Sequence, residues 1–258
     1  MRDEPNHRSA GRTPDIQAVS RAGQILALFR PEASALSSTE IADRLGLNRT
    51  TGYRYCMSLV GAGLLERRST GEFAPGPLLM QLGALALGRR DVVSIAPPYM
   101  RELSRRTGVT TVLGLWGVTG AVVSRVEEDS GSGLFVTVRV GTQLALDTAQ
   151  SHLFLAFNND QLQVERLLAH LPQADRANLE KKIALAREAR FSSHEGTGQS
   201  GISVIAAPIF ADYGICAALA LLGTSKRLPM DPDSEAAAAL KETASRMSDD
   251  LGGAPPAD

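Results

Sequence analysis

Residues 37–63 impose the tightest constraint on how this chain can fold. Ser37 followed three residues later by Glu40 is a capping box, the signature of a helix start. The helix it opens has Ile41, Ala42 and Leu45 as its apolar face and should end at Gly46, a residue suited to the left-handed C′ position. After Leu47 comes Asn48, a good N-cap, so a third helix starts almost at once and runs to about Val60, with Gly61 and Gly63 as stops. The step from Leu45 to Asn48 is therefore the turn between two paired helices. The third helix turns Gly52, Tyr55, Cys56 and Leu59 inward and Arg49, Thr50, Tyr53, Arg54 and Met57 outward. Gly52 is out of place there, because a helix-interior glycine costs ~1 kcal/mol relative to alanine. Either Tyr55 fills the space beside it, or the helix is firm only once docked.

The flanking residues complete a small domain. Ile16, Val19, Ala22, Ile25, Leu26 and Phe29 recur at helical spacing, so a first helix is expected over 16–30, ended by Pro31. Leu64–Pro75 alternates around a Thr70-Gly71 turn, as a hairpin does. Three helices and a two-stranded hairpin over residues 16–76 are the order of a winged helix-turn-helix, whose third helix turns its first residues toward a DNA major groove. Charge supports this reading: residues 1–90 carry +4, the remainder carries −5, and no lysine precedes Lys181. Arginine suits bidentate contact with phosphates and base edges better than lysine does. The alternative is a small helical module that binds protein.

Residues 77–90 form a separate segment. LLMQLGALALGRR (78–90) is apolar on almost any face, which a surface helix should not be. A linker helix that pairs two chains accounts for it; a buried core helix of the following domain is the alternative. From residue 91 the pattern changes. Val92–Thr107 is helical, with Pro97 and Pro98 kinking or interrupting it. Thr110–Val118, Ala121–Glu127 and Leu134–Val140 read as strands, and Thr148–Asn158, Gln161–Leu171 and Ala174–Arg190 as helices, with Pro172 closing the second. Gly201–Phe210 and Gly214–Leu222 are strands, and Ser234–Leu251 is a final helix. Strand pairs interleaved with helices imply an α+β fold over 91–251, an antiparallel sheet with helices on its flanks. Residues 1–15 and 252–258 read as disordered tails.

Several function classes lack their residues. No nucleophile elbow, dinucleotide-binding glycine motif or P-loop occurs, and the sequence shows no nucleophile–base pair. His7, His152, His170 and His194 fall at no metal spacing, and Cys56 and Cys216 are far apart. Neither a metal nor a cofactor is expected. Gly196–Gly201 could cradle an anion, but reads better as a flexible loop. No apolar run is long enough to span a bilayer and the N-terminus has no secretory h-region, so the expectation is a cytoplasmic protein without membrane contact. A small-molecule enzyme with a fused helical module is the weaker alternative.

The stretches SRAGQILALF, LSSTEIADRLGLNRTTGYRYCMSLVGAGLLER, FAPGPLLMQLGALAL, VGTQLALDTAQSHLFLAF and SGISVIAAPIFADYGICAALALLG resemble the IclR (isocitrate lyase regulator) family of bacterial transcription factors over about residues 16–251. The resemblance implies a winged-helix DNA-binding domain, a linker helix and a GAF-like domain that binds a small effector. It also implies a homodimer, or a tetramer built as a dimer of dimers, on a palindromic double-stranded operator. On this reading Arg49 and Arg54 contact phosphates or guanine edges, Thr50 and Thr51 phosphates, and Tyr53 a base or sugar. Ser38 and Thr39 hold the DNA backbone, and Arg67 and Arg68 sit on the wing.

Departures from the family pattern shape the expected pocket. Where the family usually has Ala-x-Gly-Lys, this chain has Ala149-Gln150-Ser151-His152; a usual acidic position falls near His194 and Glu195; two frequent serines correspond to Ala220 and Leu222. The groups that would grip a small carboxylate are mostly gone, which suits a larger aromatic or aliphatic effector. The expected lining is Leu113, Leu115, Leu144, Ala149, Ser151, His152, His194, Glu195, Val204, Ala220 and Leu222, with His152 or His194 orienting any polar end.

Overall fold

A computed structural model describes residues 16–88, 91–128, 138–195 and 201–254. The chain divides into two compact units, with the boundary between Ala84 and Leu85.

In the first unit, α1 (Gln17–Leu26), α2 (Ser38–Arg44) and α3 (Arg49–Gly61) precede a hairpin of β1 (Leu65–Arg67) and β2 (Phe73–Pro75). Helix α1 stops before the expected end. The chain instead tightens, with Leu28 N–H bonded to Ile25 O and Phe29 N–H to Leu26 O, so Leu28 and Phe29 still reach the core. At the other end Ile16 and Val19 are exposed, although their spacing placed them on an inward stripe. The capping box at Ser37 and Glu40 is complete, and Gly46 takes φ +62° as the turn requires. Leu36 exchanges two backbone hydrogen bonds with Phe73, tying the hairpin to the residues ahead of α2. Ile25, Leu36, Ile41, Cys56, Leu59, Leu65 and Phe73 are buried together.

Gly52 corrects the sequence reading. A Cβ built on it would stand 2.8 Å from the Ala42 Cβ and 3.2 Å from the Ser38 carbonyl oxygen. No space remains for Tyr55 to fill: the glycine is what lets α3 press against α2.

Helix α4 (Pro77–Gly88) crosses the boundary between the units, and Met80, Leu82, Leu85 and Leu87 are exposed on it. The expectation of a buried core helix is not met.

The second unit holds α5 (Asp91–Thr107), β3 (Thr110–Trp116), β4 (Ala121–Glu127), α6 (Ala149–Phe157), α7 (Gln161–Leu168), α8 (Gln173–Ala189), β5 (Ser192–Glu195), β6 (Ile202–Ala211), β7 (Gly214–Thr224) and α9 (Glu235–Asp250). The strands form one antiparallel sheet in the order β4-β3-β7-β6-β5. Alternation sends Leu113, Leu115, Ile205, Ile209, Leu219 and Leu221 to one face, packed with Met100 and Leu103 of α5 and Leu240 and Met247 of α9. The opposite face sends Val112, Ala206, Ala218, Ala220 and Leu222 against Leu153 of α6 and Leu179 and Ile183 of α8.

Several local expectations change. Helix α5 runs without a break through Pro97 and Pro98. The expected strand 134–140 lies outside the described residues up to 137, and 138–140 are not strand. The following residues still zip onto β4, through Val123 N–H to Thr142 O, Gly141 N–H to Val123 O and Leu144 N–H to Ala121 O. Strand β5 was not foreseen. Gly252, taken as the start of a disordered tail, bridges to Ala211, and Gly253 N–H reaches Ser248 O.

Gly52→Ala should destabilise the first unit by about 1–3 kcal/mol, overpacking outweighing the gain in helix propensity. At Gly61, where an added Cβ meets nothing within 4 Å, alanine should be neutral or stabilise by up to ~1 kcal/mol. Thermal unfolding of both variants checks the pair, and an unaffected Gly52→Ala would refute the close-packing account.

Candidate functional site

Two features of different chemistry stand out, one in each unit. On α3, Asn48 accepts from Thr51 N–H at 2.7 Å and so fixes where the helix starts. With Gly52, Cys56 and Leu59 buried, Arg49, Thr50, Tyr53 and Arg54 stand exposed on the other side. The Tyr53 ring meets Phe73 of β2 edge-on at 6.5 Å, bracing the helix face against the hairpin. Arg67 ends β1 and Arg68 begins the turn, both exposed, while Ser38, Thr39 and Thr51 are half-buried. Among the described residues Arg49, Arg54, Arg67 and Arg68 make no ion pair. Unpaired guanidinium groups around a helix start are equipped to meet phosphates.

In the second unit a cavity of about 90 Å³ lies between the start of α6 and the sheet, far below the ~300–1,000 Å³ of drug-sized sites. Leu144, Ala149, His194, Val204, Ala220 and Leu222 line it as anticipated from sequence, together with Val112, Val123, Val138, Thr148 and Gln150, which were not. The room is therefore less than the expected larger aromatic or aliphatic effector needs.

Leu113 and Leu115 do not line the cavity. They point to the other face of the sheet, toward α5 and α9. From Val112 to Trp116 the strand has no polar residue, so alternation alone could not say which set faces which layer. Ser151 and His152 lie deeper in α6, both buried. Glu195 is exposed and lies 3.5 Å from the Ser225 hydroxyl.

Gln150 is the main residue that sequence reasoning missed. Its side-chain nitrogen donates to Ala218 O at 2.8 Å and to Val112 O at 3.3 Å, bridging β7 and β3. A Cβ on Gly114 would stand 2.8 Å from that nitrogen. A glycine inside a strand, marking close approach, was the available signal.

Beside the cavity a polar chain runs from buried Ser192 and His152 out to exposed Asp147 and half-buried Lys182. The His152 ring is 1% exposed, with Nε2 2.8 Å from Asp147 Oδ1 and Nδ1 2.9 Å from Ser192 Oγ. Lys182 donates to both oxygens of Asp147, at 2.7 and 2.9 Å. The ionised acceptor at Nε2 fixes the proton there, so Ser192 donates to Nδ1. Burial holds the His152 imidazole below its ordinary range, against the opposing pull of Asp147. Burial alone would raise the Asp147 carboxyl, but hydrogen bonds from Lys182 and His152 outweigh it and hold it low. This is a serine–histidine pair that the sequence did not reveal. Its geometry is that of a clamp, joining the residues before α6, α6 itself, α8 and β5. The His194 ring lies 6.4 Å from His152, between clamp and cavity.

A model of the IclR helix-turn-helix domain matches residues 18–69, and one of the bacterial transcriptional regulator IclR C-terminal domain matches residues 84–249. The chain is 28% identical over 226 residues to the HTH-type transcriptional regulator XynR of Escherichia coli K12, covering 83% of this chain and 89% of that protein. It is 24% identical over 270 residues to the HTH-type transcriptional repressor AllR of Klebsiella pneumoniae, covering 100% and 98%. Among solved structures, an IclR-type transcriptional regulator from Silicibacter sp. TM1040 superimposes with a TM-score of 0.80 at 26% identity, covering 93% of this chain and 98% of that one. An IclR homologue from Microbacterium hydrocarbonoxydans, complexed with 4-hydroxybenzoate, shares the fold with a TM-score of 0.69 at 23% identity, covering 91% and 99%.

The clamp sets a pH dependence. An unfolded His152 titrates near pH ~6.5, whereas the buried ring resists its proton. The stability it contributes is therefore present above that pH and lost as pH falls through the native value; the Asp147 contribution follows at more acidic pH. The melting temperature of the second unit should fall between about pH 7.5 and 5, and His152→Gln should flatten that slope. Identical slopes in both proteins would show that the clamp does not titrate.

Proposed function

The chain belongs to the IclR family of bacterial transcriptional regulators, with a helix-turn-helix DNA-binding domain and a C-terminal effector-binding domain, and we propose that it acts in the cytoplasm as a homodimer on a palindromic operator. The observation that carries the DNA side is the set of exposed arginines, Arg49 and Arg54 on α3 and Arg67 and Arg68 on the hairpin, without ion-pair partners among the described residues. In this reading α3 enters a major groove, with Arg49, Thr50, Tyr53 and Arg54 at base edges and phosphates. Ser38, Thr39 and Thr51 hold the DNA backbone, and the hairpin reaches the flanking phosphates.

Helix α4 supports the dimer. It has no charged residue, and Met80 and Leu85 are 74% and 55% exposed, an apolar surface that a lone chain would leave in water. Two copies paired there would set two α3 helices about one two-fold axis, which is what a palindrome demands. A tetramer would be a pair of such dimers.

The effector site in this reading is the cavity at the start of α6. Occupancy shifts the population between dimer arrangements that fit the operator and those that do not. The cavity volume and aliphatic walls support a small apolar body, and the Microbacterium relative's complex with 4-hydroxybenzoate supports a ligand of about one ring.

Arg49→Ala and Arg54→Ala should each weaken operator binding by about 1–3 kcal/mol and reduce its salt dependence. Unchanged affinity in both, measured by fluorescence anisotropy, would displace α3 from the groove. Leu82→Glu with Leu85→Glu should yield monomers in sedimentation and cost operator affinity; a persisting dimer would move the interface elsewhere.

A further inference from the structure

We propose that the effector held in this cavity is uncharged, with a carbonyl, amide or hydroxyl as its polar end and not a carboxylate. The proposal rests on the reading of the cavity as the effector site. Its wall is aliphatic apart from Thr148, Gln150 and His194, and no lysine or arginine lines it among the described residues. Lys182, the cation of the neighbouring clamp, is already bound to both oxygens of Asp147. A carboxylate entering here would shed its water and meet no counter-ion.

The donors and acceptors point the same way. Gln150 is 3% exposed and spends its amide nitrogen on two backbone carbonyls, leaving its carbonyl oxygen as an acceptor. An acceptor repels a carboxylate and welcomes an N–H or O–H. The first turn of α6 supplies complementary donors. Thr148 precedes it without capping it, its hydroxyl lying 2.9 Å from Ala145 O and 3.0 Å from Ser151 Oγ, so the first N–H groups of the helix get no acceptor from the N-cap side chain. Asp147, the residue before Thr148, puts a carboxylate beside that helix end, although it shares its charge with Lys182 and His152. The His194 side chain makes no hydrogen bond among the described residues and can serve as either donor or acceptor. An amide matches this set: its oxygen takes a helix N–H and its nitrogen serves the glutamine carbonyl.

Isosteric pairs test the idea. Isobutyramide against isobutyrate, and benzamide against benzoate, are titrated calorimetrically into the full-length protein at about pH 8, above the ordinary imidazole and carboxylate ranges. At least one amide should bind roughly tenfold or more tightly than its acid, a gap of ~1.4 kcal/mol. Acids binding as tightly as their amides would overturn the neutral-effector proposal and leave the effector-site reading intact. Binding by none of the compounds would overturn both. Ala220→Leu, which fills the cavity, should abolish amide binding in a protein that circular dichroism shows to be folded; amide affinity unchanged in that variant would place the ligand elsewhere and also overturn both.

Discussion

The C-terminal sheet is covered on both faces, and most of what is distinctive in this chain follows from that. Strands β3, β6 and β7 have helices above and below, so nearly every residue along them is apolar and buried. A polar group in such a layer costs free energy unless it is hydrogen-bonded; the Thr111 hydroxyl of β3 finds no partner among the described residues, whereas Gln150 and His152 do. Gln150 arrives against two carbonyl oxygens, and His152 arrives between Asp147 and Ser192. These pairs join the helical layer to the sheet at fixed points, and the cavity is the gap left between them.

The N-terminal unit is organised by a different device. Its core is small, and its geometry is set by close approach and capping. Ser37 and Asn48 fix where α2 and α3 begin, Gly46 turns the chain between them, and Gly52 lets the helices touch. Once α3 is seated this way, Phe73 on the hairpin meets the same tyrosine that stands among the exposed arginines. Helix face and hairpin are thereby held as one surface, so candidate DNA contacts far apart in sequence share a rigid frame.

Much of this was legible in the sequence because it is local. Capping residues, the turn at Gly46 and the hairpin act over three to five residues, and they appear where their spacing puts them. The strand pairs of the C-terminal sheet were legible for the same reason. What escaped depends on partners distant in the chain. The facing of Leu113 against Val112 depends on which helix covers which side, and both sides are apolar. The short β5 exists because β6 offers it an edge, with no strong strand signal of its own in Ser192–Glu195. Gly52 looked like a defect while only its own helix was considered, and Ala42 on the neighbouring helix makes it a requirement. The exposed face of α3 was therefore readable from helical spacing alone, with Arg49, Thr50, Tyr53 and Arg54 outward. The cavity was readable only in part, because its walls come from α6, the residues ahead of it and all five strands of the sheet.

Gly114 and Gln150 constrain each other across 36 positions of sequence, since the glutamine amide occupies the room a side chain on residue 114 would need. Neither can be changed freely while the other stands. A bulkier residue at 114 has to wait for a shorter one at 150, and that first step opens a void over two carbonyl oxygens that lose their donor. The permitted route through sequence space is thus ordered, and each path passes through an intermediate less stable than its ends. Among descendants of this chain, the two positions should therefore be inherited as a unit, and a change in cavity size should be written in both at once.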